Sequence, residues 1–285
     1  MSTLLAVPNF SHGRDPQLIE AVVEAFDARL LDVHSDPDHH RSVVTIAGAP
    51  GELAQSVLKG ARKVVAKVDI RSHRGAHPRI GALDVAPIVY LDESERGAAC
   101  AEALVLADLL AEELELPVFL YGALAGGRAR AQLRRGGPVA LAERIAGGDL
   151  VPDFGPRHLH QTAGAVLVAA RPPLVAFNVE LAAPATLDDA KAIAAAVREG
   201  GPEGLASVRA IGVWLGQRGV AQVSTNVEDH KTTPLATVVE AIGRHATVAA
   251  AELVGLAPRA AFDGFPSEIE VRGRATIEDA LGARD

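Results

Sequence analysis

Gly51-Glu-Leu-Ala-Gln-Ser-Val-Leu-Lys-Gly-Ala-Arg-Lys-Val-Val-Ala-Lys-Val68 decides how the fold is read. Leu53, Val57, Leu58, Ala61, Val64, Val65 and Val68 recur at the spacing of one helical face, so the segment is an amphipathic helix. Upstream of it, residues 30–33 and 43–46 read as short strands joined by a polar loop, residues 34–42. Before them, Asp15-Pro16 supplies an N-cap and a first-turn proline. Leu18, Ile19, Val22, Val23 and Phe26 then follow at helical spacing, and residues 4–7 read as a buried strand ending at Pro8. Downstream, residues 85–91 are a strand. The order is β-α-β-β-α-β, that of the split βαβ, ferredoxin-like unit.

The second half spells the same order. Residues 165–170 and 174–181 read as strands broken by Pro172-Pro173, and Thr186 caps a helix with Ala190, Ile193, Ala194 and Val197 on its core face. Residues 208–215 and 220–225 flank a turn at 216–219. A helix over 234–246 (through Leu235, Val238, Val239 and Ile242) and a strand over 250–254 complete the set. The fold class expected is α+β, with two ferredoxin-like subdomains, residues 1–171 and 172–285. Between the repeats, residues 93–116 read as a long helix, 118–121 as a strand and 139–146 as a short helix. Residues 122–137, rich in Gly, Ala and Arg, read as an exposed, mobile connection whose arginines are solvated. The chain after Pro258 is polar and receives no assignment.

The 285 residues carry a net charge of −8 with no compensating basic stripe, which argues against nucleic acid as a partner. One cysteine, Cys100, excludes an intramolecular disulfide and a multi-cysteine metal site, and its helical surroundings make it a small core residue. The N-terminus lacks a signal-peptide pattern and no apolar run is long enough to span a membrane, so a cytoplasmic protein is expected.

Chemistry concentrates in Arg71-Ser-His-Arg-Gly-Ala-His-Pro-Arg-Ile-Gly-Ala-Leu-Asp84. Two imidazoles that titrate near neutrality stand among three permanent cations, a set suited to acid–base work on a substrate bearing carboxylates. Pro78 restricts His77 to extended conformations, which helps hold its ring. His34, His39, His40, His73 and His77 are numerous enough for a metal cluster, but their spacing fits no zinc signature and no metal is expected.

His73-Arg-Gly-Ala-His-Pro-Arg-Ile-Gly-Ala-Leu-Asp-Val85 resembles the H-K-G-E-H-P-R-M-G-A-L-D-V signature of the glutamate formimidoyltransferases. Val7-Pro-Asn-Phe-Ser11, Val151-Pro-Asp-Phe-Gly-Pro156, Ala221-Gln-Val-Ser-Thr-Asn226 and Glu252-Leu-Val-Gly-Leu256 resemble further blocks of that family, in order. The resemblance implies two ferredoxin-like subdomains with the active site in a cleft between them. It implies transfer of a formimidoyl group from N-formimidoyl-L-glutamate to N5 of tetrahydrofolate, a co-substrate, and a homodimer. It puts the catalytic histidine at His77. Around it, Asn9, Ser11, Arg14, Arg41, His73 and Arg79 are the candidates for binding the donor. His73 is read as support for His77, and each arginine has the alternative of an internal acidic partner, Asp84 among them. Gly155, Pro156 and Gly164 match the folate segment. Asn178 and Asn226 either bond the pterin or hold a turn.

Departures from the family pattern stand beside the matches. His12, His40, Ala163 and Glu180 replace an acidic residue, an asparagine, a tryptophan and an asparagine respectively. They leave open a same-fold transferase using another donor, such as N-formylglutamate, or a folate-binding protein without transfer activity. No cyclodeaminase segment is read in the chain.

Overall fold

Pro8 splits the first strand of the chain, because its ring removes a ladder donor. β1 (Leu4–Ala6) and β2 (Asn9–Phe10) lie on either side of it, followed by α1 (Pro16–Val23), β3 (Arg29–Asp36), β4 (Arg41–Gly48), α2 (Leu53–Lys67) and β5 (Leu83–Tyr90). The computed structural model describes residues 2–283. Both β1 and β2 pair antiparallel with β4 on one side and β5 on the other, and β3 pairs antiparallel with β4. The strand order is therefore β3, β4, β1/β2, β5. Asn9 stands opposite Val43 and Val85 at the point where the broken strand resumes.

After β5 come α3 (Arg96–Leu114), β6 (Val118–Leu120), α4 (Arg130–Arg134), α5 (Gly137–Ala146) and β7 (Val166–Arg171). β7 runs parallel to β5, and β6 parallel to β7, extending the sheet to seven strands. All eight residues of β5 are buried, as expected for a strand covered on both faces. On one face Leu4, Ile46, Ala86 and Ile88 pack with Val22 of α1, Leu53, Val57 and Leu58 of α2, and Leu106 and Leu110 of α3. On the other, Val85, Leu167 and Phe119 pack with Leu133 of α4 and Leu141 and Ile145 of α5. Cys100 is half-buried against the first of these cores.

The chain divides into compact units after Pro172. The second contains β8 (Val175–Leu181), α6 (Leu187–Val197), β9 (Val208–Leu215), β10 (Val220–Val227), α7 (Leu235–Gly243), β11 (Val248–Val254), β12 (Val271–Arg272) and α8 (Ile277–Gly282). Its five strands are ordered β12, β11, β8, β10, β9. Only the β11–β12 pair is parallel. Reading β11-β8-β10-β9 against β5-β1-β4-β3 shows one strand order used twice, each time with a further strand added parallel beside the last. Thr186 caps α6: its hydroxyl accepts from Asp189 N at 3.2 Å, while the Asp189 carboxylate accepts from Thr186 N at 2.7 Å.

Three local expectations fail. The polar stretch 34–42 is mostly strand: β3 runs to Asp36, β4 begins at Arg41, and only residues 37–40 turn. Backbone pairing and a 2.8 Å bond between the Ser35 and Ser42 hydroxyls hold this ladder, so its sequence lacks the alternation that marks a half-buried strand. Residues 122–137 are not a free connection, because Leu133 is fully buried in the second core and carries α4 onto the sheet. The chain after Pro258 contributes β12 and α8, the latter capped by Thr276.

Gly60 illustrates a constraint that helix propensity misreads. A Cβ there would lie 2.3 Å from the ring of Phe26, which is 6% exposed. Propensity alone favours alanine in a helix by about 1 kcal/mol, whereas overpacking costs about 1–3 kcal/mol. We expect Gly60→Ala to lower the thermal midpoint; a midpoint raised by the substitution would contradict the packing described.

Candidate active site

The histidine loop is anchored at both ends by backbone bonds. A short 3-10 turn, Ile70–Ser72, is capped by Asp69, and Ile70 N donates to Thr162 O at 2.9 Å. At the far end Ser11 Oγ donates to Gly81 O at 2.7 Å, and Gly81 bridges to Gly164. The middle is tied to the β3–β4 turn: Ala76 N donates to Asp38 O at 3.0 Å, and His73 Nε2 lies 2.8 Å from His40 O. Three remote pieces of sequence thereby converge. His40 is stacked on His73 with ring centroids 4.3 Å apart, His12 is 4.9 Å from His40, and His39 is 6.0 Å from His77.

Beneath the loop lies a buried ion triad. Asp84 is fully buried at the start of β5, and its Oδ1 accepts from Ile80 N at 2.8 Å. Its Oδ2 accepts from Arg41 Nη1 at 2.7 Å and from Arg134 Nη2. Arg41 in turn donates from Nε to Asn9 Oδ1 at 3.0 Å, and Asn9 Nδ2 donates to Val7 O at 2.8 Å. Two guanidinium groups against one carboxylate leave one net positive charge. Both cations also act on His77, whose Nδ1 is buried with no hydrogen-bond partner among the described residues.

This environment keeps the imidazoles neutral. Burial, first, and then the charges of Arg41 and Arg134 hold His77 well below its ordinary pKa. Burial and neighbouring cations take His40 down to about 3 and His73 to about 4, and burial lowers His12 as well. Hydrogen bonding agrees: His40 Nδ1 accepts from Gly13 N and His12 Nε2 from Asp15 N, both at 3.1 Å. His40 sits at φ +51°, in the left-handed region, held there by a turn in which Asp36 Oδ1 accepts from His39 N at 2.6 Å. Asp84, despite burial, is held below the usual carboxylate range by Arg134 and Arg41.

Of the residues singled out by sequence, Asn9, Ser11, Arg41, His73, His77 and Arg79 come together here. Arg79 Nη2 donates to His73 O at 2.7 Å, and its Nε is buried without a partner among the described residues. Arg14 is exposed and braces two loops, donating from Nε to Pro37 O at 2.9 Å and from Nη2 to Arg74 O at 2.8 Å. Gly155 and Gly164 both have positive φ, and a Cβ on either would lie within 2.3 Å of a backbone carbonyl, Leu116 O or Ile80 O. Pro156 follows Gly155 in the same loop and is half-buried. Asn178 and Asn226 belong to the second unit, on one face of its sheet. There the amide of Asn178 donates to Glu252 Oε2 at 3.4 Å, and Glu180 is bound by Arg218 at 2.6 Å and Arg272 at 2.5 Å.

Sequence reasoning missed Arg134, which it left in a solvated loop, and Tyr121. A signal for Arg134 was present: Asp84 is an acid inside an apolar strand, and a buried carboxylate demands cationic partners. No comparable signal marked Tyr121.

The formiminotransferase domain, N-terminal subdomain, matches residues 3–171, and the formiminotransferase domain matches residues 176–264. The formimidoyltransferase-cyclodeaminase of Sus scrofa is 40% identical over 281 residues, covering 90% of this chain and 51% of that protein. Glutamate formimidoyltransferases of Streptococcus pyogenes serotype M1 and Thermoplasma acidophilum are 34% and 32% identical. Those matches cover 88% and 92% of this chain, and 88% and 90% of the respective proteins. The chain thus spans about half the length of the Sus scrofa relative.

The neutral histidines set an acid limit on stability. Below pH 6.5 the unfolded imidazoles take up protons, while His40 and His73 in the folded state do so only near pH 3 and 4. The unfolded state then binds more protons, so stability falls as pH falls across that window, by about 1.4 kcal/mol per pH unit for each histidine. Urea unfolding between pH 7 and 5 should show this slope, summed over His12, His40, His73 and His77, and His73→Gln should reduce it by about one histidine's share. An unchanged slope in that variant would rule the account out.

Proposed function

Given that the chain belongs to the formiminotransferase family, we propose that it transfers a formimidoyl group from N-formimidoyl-L-glutamate to N5 of tetrahydrofolate, releasing L-glutamate. The observation that carries this reading is His77 Nδ1, buried with no hydrogen-bond partner among the described residues and beside Arg41 and Arg134. A buried neutral imidazole nitrogen with no hydrogen-bond partner among the described residues suits a proton arriving with a substrate. That is also the test of fit for tetrahydrofolate, whose N5–H is such a donor.

Tetrahydrofolate supplies the nucleophilic nitrogen when bound. His77 takes the proton that N5 loses as the N5–carbon bond forms. It then delivers that proton to the glutamate nitrogen as the old carbon–nitrogen bond breaks, so it ends as it began. Arg41 and Arg79 supply positive charge for the glutamate carboxylates, and Asn9, Ser11, Arg14 and His73 hold the loops that carry them. Gly155, Pro156 and Gly164 form the folate-binding side, where close backbone approach leaves no room for a Cβ at either glycine. Asn178 and Asn226 are assigned to pterin recognition. Both sheets are read as ferredoxin-like units, supported by the repeated strand order. The active form is read as a cytoplasmic homodimer.

No helix among the described residues is long and apolar enough to cross a membrane. Among the described residues no three His, Cys, Asp or Glu side chains are grouped as metal ligands, and the proton transfers above are assigned to His77.

The direct test is an assay of purified protein with tetrahydrofolate and N-formimidoylglutamate, following 5-formimidoyltetrahydrofolate. His77→Ala should lower kcat by about 10²- to 10⁴-fold while leaving folate affinity near that of the parent; retained turnover would refute the assignment. Because His77 is held below 6.5, the acid limb of kcat/KM should fall below pH 6.5. An acid limb above that value would mean another group is the base.

A further inference from the structure

Four buried polar atoms around the Arg41–Asp84–Arg134 triad have no hydrogen-bond partner among the described residues: His77 Nδ1, Arg79 Nε, Tyr121 Oη and Arg134 Nε. Their clustering is itself informative. Arg134 interacts electrostatically with Asp84, Arg41 and Tyr121, His77 with Arg41 and Arg134, and Arg79 with Asp84. A native protein leaves few buried polar groups unsatisfied, and each costs about 1–3 kcal/mol. Several in one place mark a position where a ligand completes the bonding.

Tyr121 is placed for this by β6. Its backbone N donates to Val168 O at 3.1 Å, which extends the β6–β7 ladder by one residue, and its ring packs into the second core with Leu133. The residue is 6% exposed. Arg130 lies over the same ring, its guanidinium carbon 5.6 Å from the centroid. The ring is thus fixed from the core side and by a cation, and only the hydroxyl is left unused. Arg134 is fixed by the neighbouring Leu133 and by its bond to Asp84.

We propose that Tyr121 Oη and Arg134 Nε form a subsite for one carboxylate of the donor's glutamate moiety, adjoining His77. The ligand class follows from the chemistry of the lining. Tyr121 and Arg134 offer an O–H and an N–H as donors, and guanidinium nitrogens can only donate. The triad carries one net positive charge, which a single carboxylate neutralises and a second would not. A cationic amidine would be repelled from the same place. The subsite therefore takes the carboxylate end of the donor and leaves the amidine to face His77. This assignment rests on the proposed reaction and names two residues on its donor side.

Tyr121→Phe tests it with little perturbation, because the substitution removes only the unpartnered oxygen. Arg134→Lys is a companion that keeps a cation opposite Asp84 and removes Nε. Two readouts are needed. In steady-state kinetics, Tyr121→Phe should raise KM for N-formimidoylglutamate about tenfold, the usual effect of losing one hydrogen bond to a charged group. KM for tetrahydrofolate and the thermal midpoint should stay within about twofold and a degree or two of the parent. A purely structural tyrosine would instead lower the midpoint and disturb both KM values. In calorimetry without folate, glutarate should bind the parent and bind Tyr121→Phe about tenfold more weakly. If glutarate binds in this Tyr121-dependent way but the parent transfers no formimidoyl group, the reaction assignment fails and the subsite stands. If donor KM and glutarate affinity are both unchanged in Tyr121→Phe, or glutarate does not bind the parent, the subsite is wrong.

Discussion

One carboxylate organises the first unit. Asp84 is fully buried, and a buried charge without partners would cost several kcal/mol, so its surroundings have to answer it. Arg41 comes from β4, Arg134 from α4, and the Ile80 amide from the loop just before β5. Through Arg41 the network reaches Asn9, and through Asn9 the break in the first strand at Pro8. The triad therefore locks together the split strand, the β3–β4 hairpin, the histidine loop and α4, the helix within the 122–137 segment. Those are the elements that carry the candidate site. Replacing such a network by apolar residues is often neutral for stability. The network fits a role that apolar side chains could not fill: presenting a fixed surplus of positive charge at a buried position.

That surplus governs the histidines. Imidazoles near guanidinium groups and away from water lose affinity for protons. His77 is kept neutral by burial and by the very arginines that bind Asp84. The stacked pair His40 and His73 is neutral for related reasons, with Arg14 and Arg79 adding to burial. Neutrality lets these rings be packed in hydrogen-bonded contact: a protonated His40 would turn its Nδ1 from acceptor to donor, facing Gly13 N. His12 and His40 thus pack with His73 as a histidine layer supporting the loop.

What could be read from sequence follows what local patterns encode. Apolar periodicity located α1, α2, α6 and α7, and Asp15 and Thr186 marked helix starts because capping depends on adjacent residues. The doubled β-α-β-β-α-β order was legible for the same reason. Strand pairing was not. β7 and β6 join β5 in parallel, a non-local arrangement that no periodicity reports. The β3–β4 hairpin was underestimated because its ends are polar on both strands and are held by backbone pairing. Leu133 explains the misreading of 122–137: one buried leucine anchors a segment whose composition is otherwise that of a loop. Around Asp84, His77 was marked by motif, whereas Arg134 and Tyr121 are brought there by tertiary contact alone.

The placement of the proposed carboxylate subsite bears on how His77, the proposed base, would also act as the acid. A base must be unprotonated when the reaction begins, and burial, reinforced by the positive field of Arg41 and Arg134, favours this in the free protein. An acid must hold its proton long enough to pass it on, and the same field works against that. A bound carboxylate resolves the conflict, because it neutralises the net charge of the triad and removes part of what destabilises protonated His77. The proton affinity of the imidazole then rises, the direction that donation by the same group requires. On this reading the donor carries, in its own carboxylate, the charge that tunes the base acting on it. A donor lacking that carboxylate would meet His77 in its untuned state, so the same electrostatics that bind the glutamate moiety also select for it.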